Sequence, residues 1–323
     1  MKAIVIESFG GPEVLQLRER ETPTPGPGQV LVRQEAIGVN FIDVYRRAGL
    51  YPVALPSVPG MEGAGTVVAL GPDVRGLRAG DRVAYANVPG TYAEAVVVPA
   101  DRAVRLPARI TFAQAAAAML QGMTAHYLAL DTYAVKKGDA VLVHAAAGGV
   151  GLLLVQVARM RGARVIATVS TPQKAELARK AGAEEVILYT EKDFVAEVKR
   201  ITGGRGVQAV YDSVGSTTFL KSLDCLAPRG MMVSFGQSSG KVDAVEPALL
   251  SAKGSLYLTR PTLGHYIADS ASLRRRAGEV LRWVAGGKLA LRIGATFPLG
   301  QAAEAHRQLE SRTTTGKLIL IPR

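Results

Sequence analysis

Cysteine is almost missing from this chain. Cys225 is the single one in 323 residues. That excludes a disulfide framework and any zinc site built on several thiolates. Long apolar runs are also missing: hydrophobic residues make up 48% of the chain, enough for full cores, yet no stretch has the length of a membrane span. The start, Lys2-Ala3-Ile4-Val5-Ile6, has a strand pattern and no signal-peptide pattern. A soluble, cytoplasmic protein with no membrane partner is expected. Acidic excess is absent too, since net charge is +12. The basic residues are scattered, with Arg274-Arg275-Arg276 the densest cluster, and no basic block carries interleaved aromatics. The balance suits a polyanionic cofactor or an Arg-rich surface better than nucleic acid as a primary partner. The length fits two domains.

What the chain does contain is a strand, a small-residue turn and a helix start in sequence. Ala140 to Val143 is apolar with His144 closing the strand, Ala145-Ala146-Ala147 is small, and Gly148-Gly149-Val150-Gly151 opens an apolar helix from Leu152 to Met160. A dinucleotide pyrophosphate demands that order. Bare N–H groups and the helix dipole favour the anion, and small residues let the backbone approach it. Gly148 and Gly151 fill the second and third glycine positions of G-x-G-x-x-G, while Ala146 stands at the first. A tight turn with no ligand is the alternative. Further strands are expected over Arg164–Val169, Ala183–Tyr189, Val207–Val214 and Gly230–Phe235, with helices between. That alternation predicts a doubly wound parallel sheet.

One absence bears on which dinucleotide. An NAD site places an acid about 20 residues after the glycines. Here the second strand ends Thr168-Val169-Ser170-Thr171-Pro172-Gln173-Lys174, with no acid. Hydroxyls and a lysine are what a 2′-phosphate needs, so NADPH is the expected cofactor. Lys174 as a solvated first-turn lysine is the alternative, disfavoured by the helix dipole.

Residues 1–122 differ from the middle. Short β-rich runs (Gln29–Arg33, Gly65–Leu70, Asp81–Tyr85, Ala93–Val98) are separated by Gly and Pro, which predicts a small β-barrel. Ile110–Tyr127 reads as a helix leading into the nucleotide domain. A helix over Ser270–Ala285, a helix over Gly300–Glu310 and a strand over Lys317–Ile321 follow. The tail is expected to return to the first domain, where its strand finds partners. The expected division is 1–122 with 266–323, and 123–265.

Gly60-Met61-Glu62-Gly63-Ala64-Gly65, Gly71 and Gly80-Asp81-Arg82-Val83, with the Ala-Ala-Gly-Gly-Val-Gly turn, resemble the medium-chain dehydrogenase/reductase superfamily. Gly38-Val39-Asn40-Phe41-Ile42-Asp43, Gly49-Leu50-Tyr51-Pro52, Tyr211-Asp212-Ser213-Val214-Gly215 and Glu310-Ser311-Arg312 resemble its quinone oxidoreductase branch, which includes zeta-crystallin. The resemblance covers nearly the whole chain. It implies an α/β protein with a GroES-like β-barrel catalytic domain and a Rossmann domain that binds NADPH. Its alcohol dehydrogenases place a zinc-binding Cys where this chain has Asn40 and a His where it has Met61, both poor zinc ligands. No metal is therefore expected, and a quinone, being electrophilic, accepts hydride without one.

The resemblance implies that Asn40, Asp43, Tyr45 and Tyr51 form the catalytic side. Asn40 would lie near the nicotinamide and donate to an oxygen gaining negative charge, or else cap a loop. Tyr45 or Tyr51 would supply a proton or hydrogen bond, or only an aromatic wall. Gly148, Gly149, Val150 and Gly151 would hold the pyrophosphate. Ser170, Lys174, Tyr189 and Arg312 would surround the adenosine end. Ser213 and Phe235-Gly236-Gln237-Ser238 would lie at carboxyl ends of later strands. Thr259 and Arg260 would lie near the nicotinamide, with a salt bridge at the core edge as the alternative for Arg260. His144 is expected to be a satisfied core residue, and the other histidines are too dispersed to suggest a site.

The function implied is NADPH-dependent reduction of a quinone. Reduction of activated C=C bonds in enals or enones is a second enzyme reading. An RNA-binding protein that also holds NADPH is a reading of another class. A homodimer is expected through the edge strand Gly254–Arg260, which is apolar and β-prone.

Overall fold

The computed structural model describes residues 1–322. The chain divides into two compact units, Met1–Met123 with Ile267–Arg323, and Thr124–Tyr266.

The first unit is built on strands. β1 (Lys2–Val5) pairs antiparallel with β2 (Gln16–Glu19). β3 (Gln29–Val39) leads directly into the short helix α1 (Phe41–Arg47). β4 (Glu62–Leu70), β5 (Arg82–Ala86), β6 (Ala95–Pro99) and β7 (Val104–Arg105) follow, then helix α2 (Phe112–Tyr127). β3 pairs antiparallel with both β4 and β6. The period-two valines Val30, Val32, Val96 and Val98 meet Val67, Val83 and Tyr85 in one buried cluster. β3 runs past the expected end at Arg33 to Val39, because Gln34, although polar, is buried and hydrogen-bonded to Thr91 and Ala93 carbonyls. Gly38 near its end is needed bare: a Cβ there would stand 2.2 Å from the Glu62 carboxylate.

The second unit alternates strand and helix. Its order is β8 (Ala140–Val143), α3 (Gly149–Met160), β9 (Arg164–Val169), α4 (Pro172–Lys180), β10 (Glu185–Leu188) and α5 (Phe194–Thr202). Then come β11 (Val207–Asp212), α6 (Phe219–Leu223), β12 (Leu226–Ser234), α7 (Pro247–Ala252), β13 (Tyr257–Thr259) and α8 (Leu263–Tyr266). The six strands are parallel in the order β10-β9-β8-β11-β12-β13. The order reverses between β8 and β11, the place where open α/β sheets take ligands. Seven residues of α3 are buried, from Gly151 to Ala158, as befits a helix covering a parallel sheet. The edge strand β13 is shorter than the expected Gly254–Arg260, since Leu256 turns into the core below it.

α9 (Ser270–Ala285) starts at Asp269, whose carboxylate accepts from the Ser272 N–H. β14 (Ile293–Pro298), α10 (Ala302–Glu310) and β15 (Lys317–Ile321) complete the first unit. β15 pairs antiparallel with β3 and parallel with β14, so the tail returns to the first sheet as expected. That sheet reads β14-β15-β3-β4-β5-β7, with β6 also on β3. The α/β architecture is thus a GroES-like unit and a doubly wound parallel-sheet unit.

Candidate active site

The phosphate-binding turn is built as its residues require. α3 begins at Gly148 with no side-chain cap, and the ladder opens with Leu152 N–H donating to Gly148 O at 3.0 Å. The N–H groups of Gly149, Val150 and Gly151 therefore lie outside the helical ladder. Gly151 has no room for a side chain: a Cβ would be 2.3 Å from Ala145 O. This is the close strand–helix approach that the third glycine of the motif serves. Ala145 itself sits at φ 49°, so the turn tightens without a glycine at the first motif position.

At the carboxyl end of β9, Thr171 caps α4 by accepting from Lys174 N–H at 3.3 Å. The Lys174 ammonium donates to Ser170 Oγ at 3.3 Å, and partial burial lowers its pKa. Tyr189, just past β10, is 48% exposed, with its N–H on Val169 O. Ser170, Lys174 and Tyr189 are thus gathered at adjacent strand ends beside the turn. Ser213 and Phe235–Ser238 lie at the ends of β11 and β12. Gly236 packs against Ser213, where a Cβ would be 2.6 Å from its carbonyl oxygen.

Arg260 stands just past Thr259 at the end of β13. Its guanidinium donates to Ser234 Oγ (3.1 Å), Gly236 O (2.7 Å) and Gln237 Oε1 (3.2 Å), bracing that segment. Asp212 shapes the neighbouring loop by accepting from Val214 N–H (2.6 Å), Gly215 N–H (3.1 Å) and Thr218 Oγ1 (2.8 Å). His144 is a satisfied core residue, between Thr168 Oγ1 and Ser222 Oγ at 2.8 and 2.9 Å. Ser222 Oγ donates to Thr218 O, so it accepts from His144 Nε2–H, and the neutral tautomer is set. Burial lowers the imidazole pKa in the same sense.

In the first unit the candidate catalytic residues cluster on α1 and just after it. Asn40 is its N-cap, and the Asp43 carboxylate accepts from Asn40 N–H at 2.9 Å. Tyr45 is buried on α1; Tyr51 lies edge-on to it, ring centroids 5.4 Å apart, and its N–H donates to Tyr45 O. Arg312 falls in the loop after α10, at φ 58°.

Asn40 is held on both sides of its amide. Its amide hydrogens go to Gly38 O (3.3 Å) and Glu62 Oε2 (3.0 Å), and its oxygen accepts from the Lys317 ammonium at 2.7 Å. Both amide hydrogens are thus engaged within this unit. Two residues here were missed by sequence reasoning. Glu62 and Lys317 form a buried ion pair at 2.5 Å, with side-chain exposures of 0% and 2%. Glu62 Oε1 also accepts from Leu120 N–H in α2. No local signal joins positions 255 residues apart, although a charged residue amid the apolar pattern of β15 is a hint.

Asp43 is fully buried, and desolvation pushes its pKa up to about 7. Its Oδ2 accepts from Tyr92, whose hydroxyl is 3.0 Å from His306 Nε2. Arg47 reaches His306 Nδ1 at 3.1 Å and grips Glu310 with two 2.8 Å bonds. Since Arg47 can only donate, His306 Nδ1 accepts and Nε2–H points to Tyr92. His306, dispersed in sequence from the other histidines, is brought into this chain; burial lowers its pKa to about 3.

The donor set does not suit a zinc ion. Met61 is buried with its sulfur against the Arg46 guanidinium, and the Asn40 oxygen already takes an ammonium. Among the described residues no group of three His, Cys, Asp or Glu side chains could hold a metal. The nucleotide turn does suit a dinucleotide: it is uncapped, side-chain-free at Gly151, and flanked by Ser170 and Lys174.

A GroES-like unit joined to a dinucleotide fold with this turn defines a two-domain dehydrogenase/reductase. Comparison with known proteins agrees. Residues 26–108 match the alcohol dehydrogenase GroES-like domain, and residues 149–278 match the zinc-binding dehydrogenase family. The chain is 48% identical to a quinone oxidoreductase of Pseudomonas aeruginosa, over 99% of both chains. It is 43% identical to a 2-haloacrylate reductase of a Burkholderia species, over 99% of this chain and 98% of that one. The solved structure of Escherichia coli quinone oxidoreductase complexed with NADPH superposes with a TM-score of 0.98 at 48% identity, covering both chains fully. The chain belongs to the quinone oxidoreductase family of medium-chain dehydrogenases/reductases.

Proposed function

We propose that this protein is an NADPH:quinone oxidoreductase that works without a metal. The observation that carries the proposal is the bare α3 N-terminus beside the Ser170–Lys174 pair, a seat for a dinucleotide bearing an extra phosphate. The quinone rests on the relatives of that name. Bound NADPH supplies the hydride. The N–H groups of Gly149, Val150 and Gly151 hold the pyrophosphate, and Gly148 keeps the turn small. Ser170, Lys174 and Tyr189 hold the adenosine phosphate. Ser213, Thr259 and the Phe235–Ser238 segment, braced by Arg260, orient the nicotinamide half.

On the catalytic side, Tyr45 or Tyr51 donates to the oxygen that gains charge as the quinone is reduced. Their crossed rings also give a planar substrate an aromatic wall. Asn40 and Asp43 hold the start of α1 and so the tyrosines. A cytoplasmic location, where NADPH is regenerated, belongs to the same reading. So does a homodimer: β13 is the edge of its sheet, and Tyr257 and Leu258 are exposed on it.

Reduction of activated C=C bonds is the second reading, favoured by the 2-haloacrylate reductase among the relatives. Steady-state turnover of a quinone and a 2-alkenal, each with NADPH, separates the two. The proposal expects a kcat/KM for the quinone well above that for the alkenal; the reverse order transfers the assignment to the second reading.

A further inference from the structure

Lys317 lies at the start of β15, far in sequence from Tyr45 and Tyr51. A buried ammonium is costly, and a buried ion pair is often replaceable by apolar residues without loss of stability. What this one does beyond stability is visible in its hydrogen bonds. The ammonium donates to Glu62 Oε2 at 2.5 Å and to Asn40 Oδ1 at 2.7 Å. An ammonium can only donate. The oxygen of the Asn40 amide must therefore face Lys317, and the amide cannot flip. Nδ2 is then committed to Glu62 and Gly38 O. Glu62 in turn is anchored to α2 through Leu120 N–H. Four elements converge on one amide: β4, α2, β15 and the junction of β3 with α1.

That amide belongs to the residue from which α1 starts. Asn40 N–H is held by Asp43, and Tyr45 follows two residues later on the same helix. Asp43 is faced by Lys317 from β15 and Glu62 from β4. Tyr92 reaches it from the loop before β6, with His306 of α10 and Arg47 of α1 behind. We propose that Lys317 is a positioning residue for quinone reduction: it fixes the Asn40 amide, and through it the first turn of α1, so that Tyr45 keeps one orientation. The proposal rests on the functional reading above.

The test compares wild type with Lys317→Met and with the double variant Lys317→Met/Glu62→Gln. Thermal stability, kcat and KM for a benzoquinone, and NADPH affinity by fluorescence are measured. Lys317→Met strands the Glu62 carboxylate and loses stability; the double variant, with no stranded charge, regains it. If Lys317 positions Tyr45, kcat of the double variant stays down by on the order of tenfold to a hundredfold, while KM and NADPH affinity stay near wild type. Wild-type kcat in the double variant overturns the proposal.

Should the double variant fail to fold, Lys317→Gln decides in its place. It keeps donors at the site but adds an acceptor, so the Asn40 amide is no longer fixed and kcat is expected to fall; an unchanged kcat overturns the proposal. A wild-type protein that reduces no quinone with NADPH defeats the functional reading instead. The positioning claim is then decided by the Asn40 side-chain amide resonances: it predicts a shift in Lys317→Gln, and identical signals overturn it.

Discussion

The two units treat polar groups in opposite ways. In the doubly wound unit, polar groups at the strand ends face outward for a ligand: α3 starts without a cap, Lys174 leans on Ser170, and Tyr189 is half exposed. In the GroES-like unit, polar groups turn on one another. Asn40, Asp43, Glu62 and Lys317 are all buried and mutually bonded. One unit is arranged to bind a large anion. The other closes a buried network around the start of a short helix. A binding seat needs unsatisfied donors, which water or ligand completes. A buried polar network is costly to leave partly satisfied, and of these four residues Asp43 keeps one oxygen, Oδ1, without a hydrogen-bond partner.

The sharpest break of this contrast is in the buried network. Glu62→Gln leaves the Lys317 ammonium without its counter-charge, and should cost about 3–5 kcal/mol, read as a lower denaturation midpoint with unchanged slope. A loss as small as that of a surface pair would mean water reaches the cluster.

A second probe is pH. The folded-state pKa of Asp43 is raised, to about 7 from 3.8. The folded protein thus keeps a proton that the unfolded chain has lost. Stability from this group is fully present below pH 3.8, declines as pH rises, and is lost above about 7. Asp43→Asn keeps an acceptor for Asn40 and Tyr92 and removes the titration. Its stability relative to wild type should climb between pH 4 and 7 by on the order of 3 kcal/mol, then level off. His306, with its pKa lowered to about 3, acts in the opposite sense, costing stability as pH falls below 6.5, so the comparison must be variant against wild type. A flat difference across this range would place Asp43 in a wetter setting.

In the nucleotide unit, Lys174→Ala should weaken NADPH and leave NADH nearly unchanged. A charge-assisted phosphate contact is worth roughly 1.5–3 kcal/mol, or about tenfold and upward in affinity. Equal loss for both cofactors would leave the lysine as a solvated first-turn residue. The smallest effect is expected at the edge strand. Replacing exposed Leu258 with Lys should raise the dimer dissociation constant measured by light scattering, because edge lysines oppose strand pairing. A wild type that is monomeric at micromolar concentration would remove the dimer altogether.

The contrast also explains what could be read from the chain. Strand β9 and helix α9 fall where periodicity puts them, and the turn from His144 to Gly151 is one contiguous stretch whose chemistry is local. Ser170 and Lys174, only four residues apart, meet across the start of α4. The buried network was not legible. Lys317 meets Asn40 across 277 residues, and Arg47 meets His306 across 259. Such pairs exist only once β15 is laid against β3. Asn40 shows the consequence: its position ahead of α1 is a local matter, but the direction of its amide depends on a lysine 277 residues away.

The most direct test of the account uses the unaltered protein. Dialysed exhaustively against a chelator and checked by elemental analysis for zinc, it is assayed with a benzoquinone and either NADPH or NADH. The account predicts undiminished turnover in metal-free protein, with NADPH strongly preferred. Turnover that vanishes on chelation and returns with zinc would contradict it.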